Sequence, residues 1–279
     1  MVRIPPASVM RRQIRRVTSL GADTIDDLLA VEEPLEIRIA FQRNGKATWQ
    51  NVSVTMRTPG NDPELAAGFL FTEGIIHDIR QIKTVENSVF EENLVLVKLA
   101  DSCEPNLNHA DRNFYTTSSC GVCGKASIEA VKTVSRFVLE NTLSVNTEVL
   151  FGLADKISGS QRVFEETGGL HAATLFDKNG NLLQLREDVG RHNAMDKLIG
   201  AALLSDKLPL TGNILLLSGR ASFELIQKAL MAGIEMVVSI GAPSSLAVQL
   251  AEDNNITLVG FLKQDKFNVY TGFHRISDL

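Results

Sequence analysis

From Pro34 apolar and polar residues alternate through PLEIRIAFQ, the period of a half-buried strand. NVSVTMRT (Asn51 to Thr58) repeats the alternation, and Asn44-Gly45 supplies turn chemistry between the two. Asp62, Pro63 and Glu64 then give an N-cap, a first-turn proline and a first-turn acid. The helix they start runs through Leu70, with Leu65, Phe69 and Leu70 on one side. Leu94 to Leu99 reads as another strand. These elements make a small α+β unit over residues 20–110, closed by the polar, aperiodic stretch Asp101 to Arg112.

Beyond it, over residues 111–279, strands and helices alternate. Ile128, Val131, Val134 and Val138 recur at helical spacing, which predicts a helix over Ala126 to Glu140. Asn146 or Thr147 caps a second one reaching Ser158. Gly169 to Phe176, the turn Asp177-Lys178-Asn179-Gly180 and Asn181 to Arg186 form a hairpin. After Asp188 a loop enters a helix carrying Ala194, Met195, Leu198 and Ile199. Three strand–helix units then begin at Asn213, Ile234 and Ile256, with a short last strand over Phe267 to Tyr270. Continuously apolar strands separated by helices imply a parallel sheet buried on both faces, so the fold class is α/β.

The 279 residues are 44% apolar and 22% charged, an ordinary globular composition. A net charge of −5 argues against bulk nucleic-acid binding. Three cysteines in so long a chain point to a reducing compartment. Arg3, Arg11, Arg12, Arg15 and Arg16 precede any acidic residue, but no apolar stretch follows to make a signal peptide. They read as a frayed basic arm. No run approaches the ~20 apolar residues of a membrane span, and a cytoplasmic protein is expected.

Two cysteines, Cys120 and Cys123, stand in a C-x-x-C after the small polar run Thr116 to Ser119, punctuated by Gly121 and Gly124. The pattern places them on a loop entering a helix N-terminus, where the backbone N–H groups and dipole favour a thiolate. Three readings stand: thiol chemistry, a zinc site that adds Cys103 and His109, or cysteines without chemistry. Ser218 to Ser222, Gly241 to Ser245 and Lys263 to Lys266 follow strands, where α/β sheets bind ligands. Arg220, Lys263 and Lys266 would favour an anion such as a nucleotide, although no phosphate-loop motif is present. EDVGRHNAMDK (Glu187 to Lys197) is too charged for an ordinary helix start. Asp188, Arg191, His192 and Asp196 there form either a paired network or a functional cluster, with His171 a second histidine of interest.

SCGVCG (Ser119 to Gly124), GGLHAATLFD (Gly168 to Asp177), REDVGRHNAMDKLIG (Arg186 to Gly200), SGRASFELIQKALMAGI (Ser218 to Ile234) and TLVGFLKQDKFNVYTG (Thr257 to Gly272) together resemble the formate dehydrogenase accessory family of FdhD-type sulfur carriers. The resemblance implies a carrier that accepts persulfide sulfur from a cysteine desulfurase. It would pass that sulfur to a molybdenum or tungsten pterin guanine dinucleotide cofactor, a bound client and not a permanent cofactor, before insertion into formate dehydrogenase. Cys120 would carry the persulfide and Cys123 would assist or resolve it. The family's cofactor-binding segment falls on Phe261, Leu262, Lys263, Gln264, Asp265 and Lys266, where Gln264-Asp265 replaces a more usual glycine-containing turn. The resemblance also implies a homodimer and a larger C-terminal domain similar to the cytidine deaminase fold. A deaminase needs a His-x-Glu and a P-C-x-x-C motif, and His192-Asn193-Ala194 and Arg220-Ala221-Ser222-Phe223 supply neither. A thiol–disulfide oxidoreductase using the same cysteine pair is the alternative function.

Overall fold

A computed structural model describes residues 8–107, 135, 137–139, 143–158 and 161–279. Cys120, Cys123, His109 and most of the helix expected over Ala126 to Glu140 lie outside these residues. Where that helix was expected to end, Ser135 and residues 137–139 are not helical. Ser135 Oγ donates to Leu230 O (2.9 Å) and accepts from Phe137 N (3.1 Å), a local bond that competes with helical pairing.

Of the expected basic arm, Arg3 lies outside the described residues, and Arg11, Arg12, Arg15 and Arg16 lie on a strand. β1 (Val9–Thr18) pairs antiparallel with β2 (Gly21–Ala30) as a two-stranded ribbon. Arg12 faces Asp27 and Arg16 faces Asp23 in register, and Arg11 Nη1 lies 3.7 Å from Asp26 Oδ2, so an acidic strand further along the chain offsets much of the arginines' charge. β3 (Glu33–Arg43) and β4 (Lys46–Arg57) form the expected hairpin, with Asn44 and Gly45 at φ 53° and 72° in the turn. α1 (Asp62–Thr72) starts one residue before its expected first turn, with Asn61 as N-cap at φ 60°. Asp62 is drawn away from capping by Arg57, whose Nε and Nη2 each donate to its carboxylate at 3.0 Å. β5 (Ile82–Asn87), unforeseen in the sequence, and β6 (Leu94–Leu99) complete a four-stranded sheet of order β4-β3-β6-β5.

The second sheet has six strands. α2 (Thr147–Ser158), capped by Asn146 Oδ1 on Glu148 N (2.9 Å), and the short α3 (Arg162–Thr167) precede it. The hairpin β7 (His171–Asp177) and β8 (Leu182–Asp188) leads into α4 (Arg191–Leu204). Then come β9 (Asn213–Leu217), α5 (Phe223–Met231), β10 (Met236–Ser239), α6 (Ser245–Asp253), β11 (Thr257–Gly260) and β12 (Asn268–Thr271). The order is β12-β11-β10-β9-β7-β8, with β9, β10 and β11 parallel as expected and the flanking strands antiparallel. The sheet is therefore mixed, within an α/β fold.

One core joins the two sheets. Leu35, Ile37, Ile39, Val95 and Val97 of the smaller sheet meet Leu65 and Leu70 of α1, then Met195, Leu198 and Ile199 of α4, then Leu215, Leu217 and Val237 of the larger sheet. A second core fills that sheet's other face, where Leu150, Leu153 and Ile157 of α2 pack on Phe176, Leu216, Val238 and Val259. α1 and α4 cross at two glycines. A Cβ on Gly68 would lie 2.9 Å from Gly200 N, and one on Gly200 would lie 2.7 Å from Gly68 N. Only glycine permits that approach.

Candidate functional site

The carboxyl ends of β9, β10 and β11 gather into one shelf. Beyond the strands the loops keep bonding to each other: Gly241 N to Gly219 O (2.9 Å), Ser244 N to Ala221 O (3.0 Å) and Phe261 N to Gly241 O (3.1 Å). Gly241 is required by this closeness, since a Cβ there would sit 3.0 Å from Gly219 O and 3.1 Å from Arg220 N. The three strand ends singled out in the sequence thus lie side by side. At their edge Ser222 caps α5 without a side-chain bond to the helix's own backbone, while Ser244 Oγ accepts from Ala247 N (3.2 Å) on α6. Two helix N-termini face the shelf, an arrangement that favours anions.

Of the segment expected to bind a cofactor, Phe261 takes a left-handed φ of 54° and leaves its ring partly exposed at the shelf. Leu262 turns inward into the second core, and its N–H donates to Ser239 O (3.1 Å). Lys263 N donates to Lys266 O (2.9 Å), closing a turn on which Lys263, Gln264, Asp265 and Lys266 are all exposed. Gln264 Nε2 ties that turn to Asp155 of α2 (2.8 Å). The two lysines therefore stand in solvent beside the shelf with their charges available.

A second set of side chains reaches the shelf from α4, α5 and β7. His192 is 4% exposed, and its Nε2 lies 2.7 Å from Glu224 Oε2 and 3.5 Å from Ser222 Oγ. Both partners approach the same ring nitrogen, so this is not the relay of a hydrolase triad, in which acid and nucleophile occupy opposite nitrogens. His171 opens β7 beside Gly219, whose Cβ would come 3.2 Å from His171 Nδ1. Burial, then the neighbouring Arg191 and His192 charges, hold its pKa below the ordinary histidine range, against the pull of Asp188. Arg191 Nε is buried without a hydrogen-bond partner among the described residues.

The charged motif Glu187 to Lys197 divides between structure and site. Asp188 is fully buried, lies 2.7 Å from Lys197 Nζ, and accepts from Thr58 N (3.1 Å), Gly190 N (2.8 Å) and Asn193 Nδ2 (3.2 Å). Lys197 Nζ donates in turn to Thr58 O (2.8 Å). Asp196 accepts from Lys228 Nζ (2.8 Å) and Thr72 Oγ1 (2.8 Å). Burial works against the Lys228 ammonium, but Asp196 and Glu73 outweigh it and hold its pKa above the ordinary value. Burial likewise pushes both aspartates up, against their lysines. The geometry, charge-assisted bonds on every side, is that of two ion pairs. Asp188 and Asp196 are thus latches between the sheets, while His192 joins the shelf through Glu224 and Arg191 stands beside His171. No pattern in the sequence singled out Glu224, Lys228, Thr58 or Thr72 individually, because their partners are remote in the chain.

Cys103 lies in neither network. It is buried, accepts from Gln81 Nε2 (3.2 Å), and burial raises its thiol pKa. Among the described residues no group of three or more His, Cys, Asp or Glu is placed to hold a metal, and no helix is long and apolar enough to cross a membrane.

An α/β protein with a cation-rimmed shelf at the carboxyl ends of parallel strands is the class that fold and site define. The chain belongs to the FdhD/NarQ family, which it matches over residues 30–277. It is 49% identical over 278 residues to the sulfur carrier protein FdhD of Streptomyces avermitilis, covering 96% of this chain and 95% of that one. The protein of that name from Mycobacterium tuberculosis is 49% identical over 277 residues, covering 94% and 98%. Among solved structures, a putative formate dehydrogenase accessory protein from Desulfotalea psychrophila superposes with a TM-score of 0.75 at 22% identity, over 96% of this chain and 99% of that one. That likeness concerns the fold.

Proposed function

We propose that this protein is a sulfur carrier in formate dehydrogenase maturation, with Cys120 as the carrying residue. The observation that supports it is the C-x-x-C at Cys120 and Cys123 in a chain whose relatives, 49% identical over nearly their full length, bear the name sulfur carrier protein. In this reading the Cys120 thiolate attacks the outer sulfur of a cysteine desulfurase persulfide. The desulfurase leaves as a thiolate, and Cys120 holds the sulfur as a persulfide. Cys123 assists or resolves that species. The reaction suits a reducing cytoplasm, and Cys103, buried with a raised thiol pKa, is unsuited to compete.

The client is a molybdenum or tungsten pterin guanine dinucleotide cofactor. Its phosphates fit the shelf's chemistry: two helix N-termini, Arg220, and the exposed Lys263 and Lys266 turn. Phe261 offers an exposed ring at the same edge. The six-stranded sheet with α4 and α5 is read as the deaminase-like core that the resemblance implies, with the deaminase chemistry lost. His192, paired to Glu224, stands where α4 begins, and the motif it would need there continues Asn193-Ala194. A homodimer belongs to the same reading.

Intact mass spectrometry after incubation with a cysteine desulfurase and cysteine tests it. A reductant-sensitive gain of one sulfur atom, lost in Cys120→Ala and retained in Cys103→Ala, is expected. Gain or loss of two hydrogens alone would instead assign the pair to a thiol–disulfide oxidoreductase. Lys263→Ala with Lys266→Ala should weaken guanine nucleotide binding and leave persulfide formation intact, and unchanged affinity would remove the turn from the site.

A further inference from the structure

Three large apolar side chains stand in water on one surface of the smaller sheet. Phe90 is 97% and Val89 90% exposed in the turn between β5 and β6, and Trp49 of β4 is 66% exposed. Arg38 of β3 joins them into one patch. Its guanidinium carbon lies 5.0 Å from the centre of the Trp49 ring, while its Nη1 and Nη2 donate to Glu91 Oε1 (3.0 Å) and Oε2 (3.3 Å), next to Phe90. Together the three side chains expose on the order of 500 Å², the size of the largest apolar patch on a typical monomer, which is often functional. The turn itself is pinned. Ser88 Oγ accepts from Phe90 N (3.2 Å) and Glu91 N (3.0 Å), and Ser88 N donates to Leu94 O (2.8 Å). Asn93, at a left-handed φ of 57°, accepts from Glu36 N (2.8 Å) through its carbonyl and from Arg57 Nη2 (2.8 Å) through its side chain. An aromatic ring held out by a turn bonded in this way loses little freedom on meeting a partner, which is the property of an interface anchor.

Charge and position say what the patch meets. Glu36, Glu86, Glu91 and Glu92 surround it against Arg38 and Lys98, a balance of −2, so the complementary surface is basic. The turn also shares with the shelf the strand end at which α4 begins. Asn93 is bonded to Arg57, the last residue of β4, and the neighbours of Arg57 hold the start of α4: Met56 O accepts from Asn193 Nδ2 (2.8 Å), and Thr58 N donates to Asp188 (3.1 Å). We infer that the patch docks the protein that takes up the shelf's ligand, through an apolar pocket rimmed by lysine or arginine. Resting on the carrier reading above, that protein is formate dehydrogenase before it holds its cofactor. Seated on Phe90 and Trp49, it faces the end of the molecule where the strand-end loops would present the cofactor.

Biolayer interferometry between the purified full chain and cofactor-free formate dehydrogenase tests it. The wild type should bind, more weakly as salt is raised. Phe90→Ser and Trp49→Ser should each raise the Kd about tenfold or more, and Glu92→Lys about threefold. Leu183→Ser, which removes an exposed apolar side chain from β8, should bind like the wild type. The thermal midpoint and persulfide formation with a cysteine desulfurase should stay unchanged in all four variants, which separates docking from folding and from carrier chemistry. A wild type that forms the persulfide yet does not bind, or binding untouched by Phe90→Ser and Trp49→Ser, would overturn the inference and leave the carrier reading standing. A wild type that forms no persulfide would remove that reading and this partner with it. Loss of persulfide formation in Phe90→Ser would assign the patch to the sulfur donor, and a dimer dissociated by that change in sedimentation would assign it to a second copy; either overturns the inference.

Discussion

Gly200→Ala should open the joint between the two sheets. In the native crossing the new Cβ would lie 2.7 Å from both Glu64 C and Gly68 N, and closer still to Glu64 O. Ordinary contact begins at 3.4 Å, and all three obstacles are backbone atoms, so no rotamer change relieves them. α1 must draw back by about 1 Å, and a gap of that size forfeits a quarter to a half of each dispersion contact along the crossing. Overpacking typically costs about 1–3 kcal/mol, and lost contacts along two buried helices add to that. Alanine's helix propensity returns about 1 kcal/mol, leaving a net loss of roughly 2–4 kcal/mol. For a chain of this size the midpoint of thermal unfolding should fall by about 5–10 °C. Gly152→Ala in α2 is the matched control, because a Cβ there meets nothing within 4 Å. It should raise the midpoint by about 1–3 °C through propensity alone. Circular dichroism melts of the three proteins decide the matter. A Gly200→Ala midpoint at or above that of the wild type would refute the steric argument.

Three further outcomes follow from the same geometry. Lys228→Met strands the Asp196 carboxylate in the core and should cost about 3–5 kcal/mol, while adding Asp196→Asn should recover a large part of it; equal losses in urea denaturation of both variants would contradict the ion pair. His171, whose pKa is held below its unfolded value near 6.5, adds stability that is present above that pH and is lost as pH falls through the folded value. Its imidazole resonances should titrate below the ordinary range by NMR, and a midpoint at or above 6.5 would refute the burial argument. Cys103 should resist alkylation at neutral pH in the folded protein and react once it is unfolded, as peptide mapping by mass spectrometry would show; ready labelling of the native chain would disprove its burial.

What the sequence discloses follows from how local each cause is. The hairpin β7–β8 was legible because Asp177 to Gly180 carries its own turn chemistry: Asp177 Oδ1 accepts from Asn179 N and Asn181 N within five residues. Asn213 to Leu217 was legible because four consecutive apolar residues, Ile214 to Leu217, between Gly212 and Gly219 suit a strand buried on both faces. The basic arm reads as frayed because the acids that stand opposite its arginines, Asp27 across from Arg12 and Asp23 across from Arg16, belong to a second strand that no window over the arginines contains. At the site, the strand-end loops could be placed one by one. Their mutual bonding, and the arrival of His171 and Glu224, depend on strand order, which periodicity does not encode.

The motif Glu187 to Lys197 shows why charge density alone could not separate structure from function. His192, Asp196 and Gly200 recur every fourth residue and form one stripe along α4, and Asp188, the last residue of β8, stands four residues before them. A polar stripe on a buried helix survives only if every group finds a partner. Each partner comes from a different element: Thr58 and Lys197 for Asp188, Glu224 for His192, Thr72 and Lys228 for Asp196, and the backbone of α1 for Gly200. The stripe therefore fixes the distance between α1, α4 and α5 at every turn of the helix. Because α5 begins at the shelf, the same register that closes the joint also sets where Ser222 and Glu224 stand beside the strand ends. Conservative changes at Asp188 or Gly200 should consequently displace the shelf as well as loosen the fold, although neither residue touches it.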